Sequence, residues 1–131
     1  MADFAFLHTC YRIGEIDRSV AFYAKLGLRE QRRMPIGDEA INIFLGTDAQ
    51  PNILELTYNH GVSAYELGTA YGHIALGVAD LDATLAALAA DGITPEKPPY
   101  QVRAGGSRLC FVRDPDNYRI ELIERRASAA S

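Results

Sequence analysis

Two glutamates stand in stretches that otherwise read as strands. Glu55 lies within ILELTYN (53–59) and Glu121 within YRIELIE (118–124). Glutamate is depleted in strands, and a carboxylate among large apolar residues is costly to bury without a partner. Two histidines sit in comparable settings. His8 falls in the strand-like run Phe4–Ile13, and His73 directly precedes Ile74-Ala75-Leu76. A buried carboxylate and a buried imidazole need each other, a metal or solvent. Taken singly, each residue is better read as a surface-facing or hydrogen-bonded core group than as a ligand.

The four residues are related by a repeat. HTCYRIGEIDRSVAFYAKLGL (8–28) lies over HIALGVADLDATLAALAADGI (73–93) at a constant offset of 65, which places His8 on His73 and Gly27 on Gly92. LEL at 54–56 matches IEL at 120–122 at an offset of 66, which places Glu55 on Glu121. Each half supplies one His on its first strand and one Glu on its last, and such internal duplication governs how the fold is read. Two imidazoles and two carboxylates without a thiolate suit a borderline divalent ion such as Ni(II), Co(II), Zn(II), Fe(II) or Mn(II). Four protein ligands on a six-coordinate ion leave positions open for water or substrate, a catalytic rather than a structural arrangement. The competing reading is a buried cluster of imidazole–carboxylate hydrogen bonds. If a metal is held, the second carboxylate favours proton transfer over oxygen chemistry: a Glu moves a proton between adjacent carbons of a carbonyl compound while the metal stabilises the enediolate. That favours an isomerase or lyase over a dioxygenase.

The elements that must position these residues follow the same repeat. Strand Phe4–Ile13 puts His8, Cys10 and Arg12 on one face. Asp17 is expected as the N-cap of a helix carrying Val20, Phe22, Tyr23 and Leu26 and stopping at Gly27. Strands over 28–34 and 40–46, a turn at Thr47–Pro51 and the ILELTY strand complete the first half. In the second, Asp82 is expected to cap a helix ending at Asp91-Gly92. Ile93–Lys97, Leu109–Arg113 and Tyr118–Glu124 are expected as strands, with a turn at Asp114–Asn117 suited to positive φ. This predicts an α+β protein of two tandem βαβββ modules, about 4–59 and 71–125, with a linker at 60–70 and a fraying tail at 126–131.

Composition narrows the partners. The 131 residues carry 13 basic and 17 acidic side chains and no basic stripe, which argues against nucleic acid. No apolar run approaches the ~18 residues of a membrane span, and MADFAFLHTC does not read as a secretory signal. Cys10 and Cys110 form no C-x-x-C, so a reduced, cytoplasmic setting is expected.

Several segments carry a family resemblance: ELTYN (55–59), YELGTAYGHIAL (65–76), HTCYRIGEIDRSVAFY (8–23) and FVRDPDNYRIELIE (111–124). In these the chain resembles the vicinal oxygen chelate superfamily, whose paired βαβββ modules form mixed curved sheets with helices outside. Within it, the chain resembles the bacterial glyoxalase I family. The resemblance implies a carbon–sulfur lyase that isomerises the methylglyoxal–glutathione hemithioacetal to S-lactoylglutathione. It implies His8, Glu55, His73 and Glu121 as metal ligands, with Glu121 as the base and Glu55 its symmetry mate. Arg12 and Asn59 would bind the glutathione moiety, and Arg103 would meet a glutathione carboxylate. Arg12 and Asn59 each lie four residues beyond a ligand on the same strand face, roughly 13 Å along. Ni(II) or Co(II) is expected over Zn(II), one ion per site, with sites shared across a homodimer. The sequence departs from the family pattern in a short 32–50 region, at His60 and at Asn117. Those departures leave room for a superfamily member of changed specificity: an antibiotic-binding or thiol-transferring resistance protein, or an acyl-CoA epimerase.

Overall fold

The computed structural model describes residues 3–125, so the expected fraying of 126–131 lies outside the described residues. The chain divides into two compact units, Met1–Glu66 and Leu67–Ser131. Each follows a β-α-β-β-β order. Unit 1 contains β1 (Thr9–Ile13), α1 (Ile16–Lys25), β2 (Arg29–Ile36), β3 (Ala40–Gly46) and β4 (Leu54–Asn59). Unit 2 contains β5 (Ile74–Val78), α2 (Leu81–Ala89), β6 (Tyr100–Gln101), β7 (Arg108–Arg113) and β8 (Arg119–Glu124). The architecture is α+β, two βαβββ units in tandem.

Both sheets are mixed and ordered alike, β1-β4-β3-β2 and β5-β8-β7-β6. The first and last strands of each unit run parallel, and the remaining pairs are antiparallel. A parallel pair needs a crossover, and the helix and two intervening strands provide it. One face of each sheet is apolar. Ile13, Ile43, Leu45, Leu54 and Leu56 are buried in unit 1 with Phe22 and Tyr23 of α1, whose hydroxyl bonds that of Tyr11. Cys110, Val112, Ile120 and Leu122 are buried in unit 2 with Leu81 and Leu88 of α2. Strand alternation turns Glu55 and Glu121 to the other face. Both helices stop the same way. Leu28 N–H donates to Tyr23 and Ile93 N–H to Leu88, around Gly27 and Gly92 at φ +90° and +78°, a conformation glycine adopts without a Cβ penalty.

Four expectations need correction. The first strand begins at Thr9 rather than Phe4, because its neighbour in the sheet, β4, begins opposite it at Leu54. Phe4 and Phe6 lie exposed ahead of that first pairing. Asp17 does not cap α1. The N-cap is Glu15, with no side-chain hydrogen bond, and Asp17 sits in the first turn, where its charge still favours the positive helix end. Asp82 likewise sits inside α2; Asp80 is the cap, accepting from Ala83 N–H at 3.0 Å, and Asp82 instead takes a forked bond from Arg108. Ile93–Lys97 is not a strand. Pro95, with Pro98 and Pro99 just beyond, has no N–H to give a ladder, and the short β6 forms only at Tyr100–Gln101.

Candidate metal centre

In both units the expected ligands meet in pairs. His8 stands one residue before β1, and its Nε2 lies 2.8 Å from Oε1 of Glu55 on β4. His73 stands one residue before β5, and its Nε2 lies 3.1 Å from Oε1 of Glu121 on β8. The parallel pairing accounts for this. Cys10 pairs with Glu55 and Ala75 with Glu121, so each histidine, two residues earlier, falls on the glutamate's face of its sheet. The carboxylates are largely covered, with side-chain exposures of 12% and 15%, while the imidazoles keep 35% and 38%. A half-open imidazole beside a shielded carboxylate is a site that a third group can approach from one side.

The donor set fits a divalent ion. Each pair offers one imidazole nitrogen and one carboxylate oxygen, and no cysteine, which suits a borderline metal. Metal–nitrogen and metal–oxygen bonds of about 2.1 Å set adjacent donors of an octahedron about 3 Å apart, matching the 2.8 and 3.1 Å separations. The same separations bring each imidazole and its carboxylate within hydrogen-bond range of one another. Among the described residues, no group of three or more His, Cys, Asp or Glu converges on one point.

The remaining expected site residues divide. Arg12 and Asn59 lie on the ligand-bearing face, at the far ends of β1 and β4 from His8 and Glu55. Asn59 Nδ2 donates to the Tyr65 hydroxyl at 2.9 Å, which ties the strand end to the segment after it. Arg103 is exposed in the turn after β6, its carbonyl accepting from Gly106 N–H. Cys10 also lies on the ligand face, its thiol 3.3 Å from Thr57 Oγ1; the Thr57 hydroxyl donates to Asn42.

A cleft of about 290 Å³ opens beside His8, lined by Leu7, Arg32, Phe44, Pro51 and Asn52. Two of its residues, Arg32 and Phe44, have no place in the sequence reading, nor does Phe111 of unit 2. The signal was hidden by loop length. At offsets of 65 or 66, Phe44 falls on Leu109 or Cys110, whereas the sheets place Phe44 opposite Glu55 and Phe111 opposite Glu121.

Residues 5–122 match the Glyoxalase/Bleomycin resistance protein/Dioxygenase superfamily. The lactoylglutathione lyase of Haemophilus influenzae is 44% identical over 126 residues, 93% of this chain and 93% of that protein. That of Arabidopsis thaliana is 40% identical over 124 residues, which is 92% of this chain and 44% of that protein. The crystal structure of glyoxalase I from Zea mays matches with a TM-score of 0.85 at 34% identity, covering 94% of this chain and 45% of that one. The chain thus spans nearly the whole bacterial relative and less than half the length of the plant ones. It belongs to the Glyoxalase/Bleomycin resistance protein/Dioxygenase superfamily and, within it, to the glyoxalase I (lactoylglutathione lyase) family.

Proposed function

We propose that this protein is a metal-dependent glyoxalase I, converting the methylglyoxal–glutathione hemithioacetal to S-lactoylglutathione. The observation that carries the reading is the repeated pair, His8 with Glu55 and His73 with Glu121, at nearly equal separation on the same face of two like sheets. The metal, held by all four residues, would supply Lewis-acid stabilisation of charge developing on the substrate oxygens. The protein's own part is proton transfer. Glu121 takes the proton from the carbon bearing sulfur and returns it to the neighbouring carbon, a redistribution that needs no oxidant or second substrate. Glu55 is its counterpart on the opposite side. Arg12 and Asn59, with Arg103, bind the glutathione part and so fix which carbon faces the base; a guanidinium suits a carboxylate of the tripeptide.

The same reading takes the active unit to be a homodimer, each metal joining His8 and Glu55 of one chain to His73 and Glu121 of the partner subunit. The pairing within each unit supports it, because His8 with Glu55 and His73 with Glu121 each form half of a four-donor set. The preference for Ni(II) or Co(II) over Zn(II) as activator rests on the likeness in length to the compact bacterial relative, 93% of which this chain covers. Unbonded Cys10 and Cys110 accord with a cytoplasmic setting. The test removes metal, restores Ni(II), Co(II) or Zn(II) singly, and follows thioester absorbance with methylglyoxal and glutathione. Turnover is expected to be greatest with Ni(II) or Co(II). No turnover with any of the three would refute the assignment.

A further inference from the structure

Each half-site contains an aromatic ring for which neither the ligand set nor the substrate contacts account. In unit 1 the pairings across the sheet set Arg32, Phe44, Glu55 and Cys10 side by side in one row. The His8 and Phe44 rings meet edge to face, centroids 5.6 Å apart and planes at 79°. The Arg32 guanidinium stands 4.8 Å from the Phe44 centroid. Unit 2 repeats the arrangement: Phe111 lies beside Glu121, and the His73 ring meets it at 5.0 Å and 79°. Here no β6 residue stands beside Phe111, because β6 covers only Leu109 and Arg108. The guanidinium comes instead from Arg119 on β8, 3.8 Å from the Phe111 centroid. Arg119 is held in place by Glu96 at 2.8 and 2.9 Å. The histidine–phenylalanine–arginine stack is therefore built twice, with the arginine supplied from different strands.

We propose that Phe44 and Phe111 are paired positioning residues that hold the two ligand imidazoles in the orientation aiming Nε2 at the glutamate oxygen. The physical case is rotameric. Each histidine sits ahead of its strand, without the flanking ladder bonds of a residue inside it, and its imidazole is more than one-third exposed. A single contact at Nε2 leaves the ring free to pivot. An edge-to-face neighbour, the favoured geometry of aromatic pairs, removes that freedom, and a cation over the phenyl ring holds the phenyl in turn. Partners that orient a metal ligand without touching the metal typically change metal affinity about 10–100-fold when lost.

The inference rests on reading His8 and His73 as metal ligands, and its test does not depend on turnover. Metal-free protein is titrated with Co(II) against a competing chelator, with the visible Co(II) spectrum and apo thermal unfolding recorded in parallel. Phe44→Leu and Phe111→Leu should each weaken Co(II) binding about 10–100-fold and alter the spectrum, while Phe44→Tyr, which keeps the ring, should stay close to wild type. Phe22→Leu removes a buried ring packed edge-on against Tyr23 at 5.1 Å; it should lower the apo unfolding temperature without moving Co(II) affinity. If Phe44→Leu proves too unstable to titrate, the more exposed Phe111→Leu carries the test. A folded leucine variant with wild-type affinity and spectrum would overturn the proposal. So would Phe22→Leu weakening binding equally, since the effect would then be one of general stability. Wild-type protein that binds no Co(II) would remove the ligand assignment and this inference together. Wild-type protein that binds Co(II) but forms no thioester would sink only the proposed activity.

Discussion

In unit 1 the strand beside β3 runs the eight residues Arg29–Ile36, whereas in unit 2 the strand beside β7 is the two-residue β6. The helix starts differ as well. α1 has no side-chain cap, while α2 is capped by Asp80 and also by the buried Glu124, which accepts from Leu81 N–H at 2.9 Å. Ahead of the parallel strands, Phe6 is exposed in unit 1, but its repeat mate Tyr71 packs on Tyr118 and donates to the Arg119 carbonyl. Across these differences the His–Glu separations stay at 2.8 and 3.1 Å and the His–Phe centroid distances at 5.6 and 5.0 Å, both ring pairs at 79°. The two units reach one donor geometry on differently supported sheets. What the geometry needs is the parallel pair and its registered neighbour; caps and edge strands can vary around it.

The hardest way to break the comparison is to remove donors from one unit only. If the half-sites are equivalent as ligands, His8→Ala and His73→Ala should each cost at least about 100-fold in metal affinity, more than the loss of an orienting partner. Glu121→Gln should cost about 10²–10⁴-fold in turnover, the usual worth of a positioned base. Steady-state kinetics with measured metal occupancy check this. If Glu55→Gln proved the more damaging of the two, the roles of the glutamates would be reversed.

Stability should separate the units where the ligands do not. Glu124→Ala leaves the first N–H of α2 without its acceptor and breaks the 3.7 Å pairing with Arg108. A loss of about 1–3 kcal/mol is expected. Asp80→Ala should cost about 1 kcal/mol, and Asp17→Ala, whose side chain caps nothing, only a few tenths. Urea denaturation measures all three. An Asp17 effect as large as that of Glu124 would show that α1 is capped in solution by another arrangement.

Cys10 sharpens the comparison, because its mate in unit 2 is Ala75. The thiol faces the ligand side, 3.3 Å from the Thr57 hydroxyl. Cys10→Ala should therefore remain active, while bulky thiol reagents inhibit the wild type and substrate protects it. Inhibition that persists in Cys10→Ala would trace the effect to Cys110.

The smallest effect concerns Tyr71. Burial foremost, and then the Asp114 charge, push its phenol up to about 12. A phenol whose folded value exceeds its unfolded value of about 10 gives stability that is full below pH ~10 and lost as pH rises through ~12. Tyr71→Phe should lose its hydrogen bond but flatten that alkaline decline. An unchanged slope between pH 10 and 12, in paired unfolding curves, would contradict the assignment.

Much of this was legible in the chain because the repeat is long and its donors are rare. His8, Glu55, His73 and Glu121 stand out as polar groups in apolar strands, and the repeat pairs them at offsets of 65 and 66. Alternation also placed Cys10, Arg12 and Asn59 on the ligand face. The failures have local causes. Aspartate favours helix starts generally, so spacing alone could not choose between Asp80 and Asp82. The alternating Ile93–Lys97 run resembles a strand until its proline is weighed. Phe44 and Phe111 escaped because they stand 67 residues apart: Glu55 comes 11 residues after Phe44 but Glu121 only 10 after Phe111, so neither the 65 nor the 66 offset pairs the rings.

The central claim is that two half-sites from different chains make one active centre. Its most direct test mixes inactive His8→Ala and Glu121→Ala proteins, unfolds them together and refolds them. In a mixed twofold dimer one site carries both lesions and the other carries none. Random reassociation should then return about a quarter of the wild-type activity, since half the dimers are mixed and each has one intact site. If all four ligands of a site came from one chain, every site would keep a lesion and no activity would return.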